Sequence, residues 1–224
     1  MNTILFCGGG SAGHVIPNIA IIEDLGSKYK AVYMGTNGIE KTVCKNNGVE
    51  FKEFDAVKLV RGKILCNLKI PFKLIKSISD AGKIIDEVKP DLVFCKGGFV
   101  SIPPAFAAKK RGIPVITHES DISAGLANKI IAGKCEKVLT TFPAAAQKFK
   151  NGVCTGSPMR KILFSGKKTA ALNRFGFDMR PVILVLGGGS GSEIINEHIR
   201  QIAPKICRDY NILHICGKGK KADI

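Results

Sequence analysis

The sequence predicts an α/β protein built on doubly wound parallel sheets. Three observations carry that prediction. Short apolar runs alternate with helix-period segments along most of the chain. Glycine-rich turns follow two of the early apolar runs. The order strand, glycine turn, helix then returns after residue 180. Sheets of this kind take ligands beyond the carboxyl ends of their strands. Function is therefore sought in the turns.

Taken in order, residues 3–7 form an apolar strand that runs into Gly8-Gly9-Gly10-Ser11-Ala12-Gly13-His14, and residues 17–25 have a helical pattern. Strand 31–34, the turn Gly35-Thr36-Asn37-Gly38, a short helix at 40–46 and strand 49–54 follow. Helix 77–88 ends at Lys89-Pro90, strand 91–95 meets the second turn Lys96-Gly97-Gly98-Phe99, and helix 103–111 has Gly112 as its C-cap. Strand 113–117 ends in His118-Glu119-Ser120-Asp121, and helix 126–132 and strand 137–141 come next. The character changes near Gly152. Thr155 to Arg160 is turn-rich, and Ser165-Gly166-Lys167-Lys168 reads as an exposed linker. Strand 182–186, loop 187–192, helix 193–207 and strand 212–216 repeat the opening logic. The expected division is a first domain at 1–160 and a second at 161–224. Two strands make a poor independent domain, so the second is expected to be truncated or covered by something else.

The chain has 224 residues, of which 45% are hydrophobic, and a net charge of +16. That excess predicts an anionic partner: nucleic acid, a phosphorylated substrate or an acidic membrane surface. There is no Trp and there are only three Tyr. No basic segment is interleaved with aromatics, which argues against nucleic acid. None of the eight cysteines forms a C-x-x-C pair. They read as buried, reduced thiols of a cytosolic protein. The N-terminus lacks signal-peptide character, and no apolar stretch is long enough to span a bilayer, so membrane contact is expected to be peripheral.

Gly8, Gly10 and Gly13 satisfy G-x-G-x-x-G after a strand. A dinucleotide site also wants an acid at the end of the second strand, and Met34-Gly35-Thr36-Asn37 has none. The turn is therefore expected to hold a phosphate or sugar phosphate, with backbone N–H groups and a helix N-terminus facing the anion. His14 reads either as a packed capping histidine or as a general base beside that anion. Glu119 either caps the following turn or faces a ligand. Arg160 is either an ordinary surface arginine or a diphosphate partner. The stretch 61–76 mixes bulky apolar and basic residues with no acid. It is either a core-packing helix with a basic outer face, broken at Pro71, or an interfacial segment meeting anionic lipid.

Together these motifs resemble the MurG family, the peptidoglycan N-acetylglucosaminyltransferases that convert lipid I to lipid II. The resemblance rests on residues 9–14, Lys96-Gly97-Gly98-Phe99-Val100-Ser101, His118-Glu119-Ser120-Asp121 with residues 125–129, and Thr155-Gly156-Ser157-Pro158-Met159-Arg160. It continues through Gly187-Gly188-Gly189-Ser190-Gly191-Ser192 with Ile195-Asn196-Glu197, and residues 214–219. It implies a GT-B fold, inverting transfer from UDP-N-acetylglucosamine to the C4 hydroxyl of the lipid-linked muramic acid sugar, and no metal or cofactor. By similarity, Ser11, Ala12, Gly13 and Arg160 lie at the donor diphosphate, and Gly189 and Ser190 contact donor phosphates. Gly97, Gly98, Glu119, Asp121 and Asn128 serve the acceptor, and His14 is the candidate base. Ile64, Leu65, Leu68, Lys69, Ile70, Phe72 and Lys73 occupy the place of the membrane-association patch, on the cytoplasmic face of the cell membrane. Ala12 stands where glycine is common, which requires a negative φ. Gly189 replaces a usual serine, and Asp121 a usual asparagine. The family continues well past Gly219 with its uridine and ribose contacts, so this chain alone is expected to be nearly inactive. The alternative is an acceptor-binding, membrane-docking subunit that needs a separate donor-binding chain.

Overall fold

The computed structural model describes residues 1–56 and 70–220. By its internal contacts the chain divides into two compact units, Met1–Leu163 and Phe164–Ile224.

The first unit is a seven-stranded sheet in the order β3-β2-β1-β4-β5-β6-β7, with every pairing parallel. Its strands are β1 Thr3–Cys7, β2 Lys30–Gly35, β3 Glu50–Glu53, β4 Leu92–Cys95, β5 Val115–Glu119, β6 Lys137–Thr140 and β7 Gly152–Cys154. The helices are α1 Ala12–Leu25, α2 Ile39–Asn46, α3 Ile70–Val88, α4 Ile102–Lys110, α5 Leu126–Ile131 and α6 Pro143–Ala146. Apolar side chains alternate across the sheet and fill two separate cores. Leu5, Cys7, Val93 and Cys95 pack with Ala81, Ile85, Ala105 and Ala108 of α3 and α4. Ile4, Phe6, Tyr33 and Phe94 pack with Val15 and Ile19 of α1 and Cys44 of α2. A parallel sheet covered on both faces is what near-continuous apolar strands require. The strand order reverses between β1 and β4, and each of these two strands runs directly into a glycine turn.

Several expectations need correction. Helix α1 begins at Ala12 and carries Pro17 inside it. The N–H that proline lacks would have bonded Gly13, so the irregularity falls in the first turns. Ala12 is helical and is not among the positive-φ residues. Helix α3 begins at Ile70, seven residues before the expected start, because Pro71 sits in its first turn, where a missing N–H breaks no helical bond. Strand β7 is absent from the sequence reading. It has three residues, with Val153 and Cys154 exposed, and so offers little apolar alternation. The thiols are not uniformly buried: Cys7, Cys44, Cys95 and Cys135 are, whereas Cys154 and Cys207 are exposed.

The second unit is the smaller. Helix α7 (Lys168–Phe175) begins where a linker was expected and ends on left-handed Gly176. Strands β8 (Val182–Leu186) and β9 (Asn211–Ile215) pair in parallel around helix α8 (Glu193–Ile206). Asn196 of α8 donates to the Cys216 carbonyl at 3.0 Å and accepts from His214 Nε2 at 2.9 Å, which ties the helix to the end of β9.

One buried hydroxyl supports the first glycine turn from below. Tyr33 is fully buried, donates to the Gly8 carbonyl at 2.8 Å and accepts from Asn18 Nδ2 at 3.2 Å. Tyr33→Phe leaves that carbonyl without its donor. We expect it to cost about 1–3 kcal/mol in a denaturant melt, the usual range for an orphaned buried polar group.

Candidate active site

A cavity of about 550 Å³ opens at the carboxyl ends of β1, β4 and β5 in the first unit. Ser11, Gly13 and His14 form one wall, and Lys96 and Gly98 form the next. The strap Glu119-Ser120-Asp121 and the start of α5, from Gly125 to Asn128, close the third side, and Phe99, Ile102 and Leu126 give it an apolar flank. The site lies at the reversal of strand order, where open α/β sheets take ligands.

The two glycine turns touch. Gly98 has φ +74°, and a Cβ on it would lie 2.8 Å from the Gly9 carbonyl and 3.1 Å from the His14 ring. Only glycine allows this approach. The contact sets His14 against the second turn, where its Nδ1 lies 3.0 Å from the Lys96 carbonyl. A carbonyl only accepts, so Nδ1 carries a proton, and in the neutral ring Nε2 keeps its lone pair. A half-buried imidazole held in this tautomer can take a proton from a hydroxyl placed at Nε2.

The first turn is held from its other side by Glu40, which is fully buried in the first turn of α2. One carboxylate oxygen accepts from Gly10 N–H at 3.3 Å. The other accepts from the Thr36 N–H at 3.0 Å and the Thr36 hydroxyl at 2.5 Å. A Cβ on Gly9 would collide with this carboxylate. Sequence reasoning looked for an acid at the end of β2 and missed the one five residues further on, which serves the turn itself. The usable signal was an acid in the first turn of α2 after Gly35 and Gly38.

The strap is built on Glu119. Its carboxylate accepts from the N–H groups of Asp121 and Gly125, at 2.9 and 2.8 Å, and from Asn128 Nδ2 at 2.9 Å. Burial pushes its pKa up, but these bonds and the Lys96 charge outweigh it and hold the carboxyl below the usual range. Asn128 also donates to the His118 carbonyl and accepts from Thr117, so its amide is engaged within the protein. Glu119 and Asn128 line the cavity and also tie its wall together. For Glu119 these bonds are those of the turn-capping alternative. Gly97 carries positive φ and backs onto the Asn128 amide. Asp121 is exposed at the rim. His118 is buried behind the strap and donates from Nε2 to the Gly156 carbonyl at 2.9 Å. Burial, helped by the Lys96 charge, lowers its pKa, which keeps the ring neutral.

Lys96 was missed because it reads as a spacer before Gly97. It is 1% exposed, and its Nζ donates to Ser120 Oγ at 2.5 Å. Burial pulls its ammonium down to about 8, against the opposing pull of Glu119 and Asp121.

Of the remaining expected residues, Ala12 and Arg160 do not line the cavity. Arg160 is half-buried at the end of the first unit, and its Nε has no partner there. Gly189 and Ser190 sit in the β8–α8 loop of the second unit. The Ser192 hydroxyl caps α8 by accepting from Ile195 N–H, and a Cβ on Gly189 would meet nothing. Ile64, Leu65, Leu68 and Lys69 lie outside the described residues. Ile70 is the first residue of α3, while Phe72 (77% exposed), Lys73, Ile75 and Lys76 point outward from it.

Residues 4–140 match the glycosyltransferase family 28 N-terminal domain, and residues 182–224 match the family's C-terminal domain. The chain belongs to glycosyltransferase family 28. Curated relatives in this family carry the name UDP-N-acetylglucosamine--N-acetylmuramyl-(pentapeptide) pyrophosphoryl-undecaprenol N-acetylglucosamine transferase. The one from Lachnospira eligens is 42% identical over all of this chain and 64% of its own length. The one from Clostridium tetani is 44% identical over 96% of this chain and 62% of its own length. This family 28 chain thus spans less than two thirds of those relatives. Among solved structures, Acinetobacter baumannii MurG superposes with a TM-score of 0.72 at 24% identity, covering 98% of this chain and 60% of that one. The calicheamicin glycosyltransferase CalG4 superposes at 0.67 and 14% identity, covering 99% and 67%. At these identities the likeness speaks for the fold, the α/β architecture of GT-B glycosyltransferases.

Lys96 makes the stability of this family 28 chain depend on pH in a definite direction. Its folded pKa lies below the ordinary 10.5. Between about 8 and 10.5 the unfolded chain therefore binds the extra proton, and folding gains stability as pH rises. We expect Lys96→Met to melt higher than the wild type at pH 7. That advantage should shrink as pH is raised from 8 towards 10.5 in paired thermal melts.

Proposed function

We propose that this chain is the acceptor-binding part, joined to the start of the donor-binding part, of an inverting N-acetylglucosaminyltransferase. The donor is UDP-N-acetylglucosamine. The acceptor is the C4 hydroxyl of undecaprenyl-diphospho-N-acetylmuramoyl-pentapeptide, lipid I, and the product is lipid II. The observation that carries this reading is the His14 imidazole, with Nδ1–H tied to the Lys96 carbonyl and Nε2 free at a cavity wall made by two glycine turns. The names carried by the 42–44% identical relatives support the choice of substrates.

In this mechanism the acceptor hydroxyl lies at His14 Nε2 and attacks C1 of the donor sugar from the face opposite the diphosphate. The new C1–O4 bond forms as the C1–O bond to UDP breaks, the hydroxyl proton passes to Nε2, and UDP leaves with the bond's electrons. Residues 1–160 hold the acceptor, and residues 161–224 begin the donor domain. There the loop with Gly189 and Ser190 would offer backbone N–H groups to the donor phosphates, and Arg160 would pair with the departing diphosphate. The test is UDP release in the presence of a lipid I analogue, by the chain completed with the last third of the Clostridium tetani relative. His14→Ala should lower kcat by about 10²- to 10⁴-fold, the usual share of a general base. An unchanged kcat would overturn the assignment.

The acceptor is lipid-linked, so the protein would work at the cytoplasmic face of the cell membrane. No described helix is long and apolar enough to cross a bilayer. Contact would instead run through the outer face of α3, where exposed Phe72 and Ile75 alternate with Lys73 and Lys76. Phe72 and Ile75 would enter the headgroup region, and each lysine would add about 1 kcal/mol at an anionic surface. Lys73→Glu with Lys76→Glu should abolish co-sedimentation with vesicles containing phosphatidylglycerol and leave the melting temperature unchanged.

A further inference from the structure

Lys96 is a cation buried at the floor of the cavity without an ion pair. Among the described residues no carboxylate lies within 4 Å of its Nζ. Glu119, whose charge acts on Lys96, has its oxygens engaged by three N–H donors of the strap and α5. Asp121 stands exposed at the rim, His14 lines the same space, and His118 lies buried behind the strap. An ammonium has three N–H donors, and Ser120 takes one of them. The other two have no acceptor among the described residues. Its backbone is held by two bonds, N–H to the Cys7 carbonyl at 2.8 Å and carbonyl from His14, and its side chain is enclosed, 1% exposed. A fixed, buried, unpaired cation is costly for folding and needs a reason.

We propose that the Lys96 ammonium is the counter-ion for the diphosphate ester of the acceptor, seated in the cavity between the two glycine turns. This rests on the acceptor reading above and adds the charged residue that reading lacked. The neighbouring groups suit a diphosphate bearing a hydrocarbon. Helix α1 points its N-terminus at the cavity, its Ser11 cap makes no side-chain bond, and its first turn holds no acid. On the opposite flank, Phe99, Ile102 and Leu126 offer an apolar wall. Because one residue both binds the anion through Nζ and holds His14 through its carbonyl, the diphosphate and the base share a common anchor.

The experiment is calorimetric titration of the 224-residue chain at pH 7 with geranyl diphosphate, geraniol and UDP, each at low and moderate salt, for the wild type and Lys96→Met. We expect the variant to bind geranyl diphosphate at least about tenfold more weakly, as loss of a charge-assisted contact requires. Its affinity should also depend less on salt, and geraniol binding should be unchanged. Failure of the wild type to bind geranyl diphosphate would overturn the proposal. So would equal affinity in the variant, or a parallel loss of geraniol, which would mark a purely structural role. UDP binding as tight as geranyl diphosphate, and lost equally, would overturn the assignment to the acceptor. If the completed protein transfers no sugar while this loss persists, the proposed function falls and the Lys96 site stands. If transfer proceeds and the variant's affinity is unchanged, the reverse holds.

Discussion

The site depends on one steric condition: two backbone turns must approach within van der Waals distance at the point where the sheet reverses its winding. Gly98 meets the Gly9 carbonyl and the His14 ring at distances that leave no room for a Cβ. The pairing of β1 with β4 brings the two turns to the same edge, with Cys7 beside Cys95. Everything chemical follows from that contact. It gives His14 a carbonyl to donate to, fixes the tautomer, and sets the Lys96 backbone where its side chain enters the cavity.

The first turn also shows why a glycine fingerprint does not by itself name a ligand. Its Gly10 N–H is already taken by the Glu40 carboxylate, an anion supplied by the protein. In a dinucleotide-binding domain an acid near this place would receive a ribose. Here the acid braces the turn against the β2–α2 connection through Thr36. The glycines at 9, 35 and 38 crowd around that carboxylate, so part of the glycine content reflects an internal bond. Of the residues at the start of α1, Ser11, Gly13 and His14 line the cavity.

The sequence made the winding legible because parallel strands buried on both faces are apolar throughout, and it made the turns legible because glycine clusters punctuate them. It concealed what depends on pairing across distance. The three-residue β7 has too little apolar pattern to be read, and helix α3 starts earlier because proline in a first turn breaks no bond. Within the site, His14, Ser11, Gly13, Gly98 and Asp121 were legible from motif and position, and they line the cavity. Lys96, Glu40 and Tyr33 were not, since each acts through a partner 24 to 30 positions away. Glu119 and Asn128 were visible as residues and they line the cavity, but the sequence left both readings of Glu119 open. A carboxylate that ends a strand looks the same in sequence whether it meets a ligand or ties a strap.

The charge of the chain and the charge of the cavity point to different levels of recognition. The net +16 is a property of the whole surface, felt at a distance and screened within about 8–10 Å at physiological salt. It would favour any anionic surface and cannot select among anions there. The cavity holds one buried cation and two carboxylates, Glu119 and Asp121, so its local field is not strongly positive. Selection inside it must come from donor placement: an ammonium with two N–H groups unengaged among the described residues and a helix N-terminus on one side, and apolar side chains on the other. A free inorganic anion satisfies only the first half of that arrangement. A diphosphate attached to a hydrocarbon satisfies both, and the outer face of α3 would bring the protein to the surface where such molecules are held.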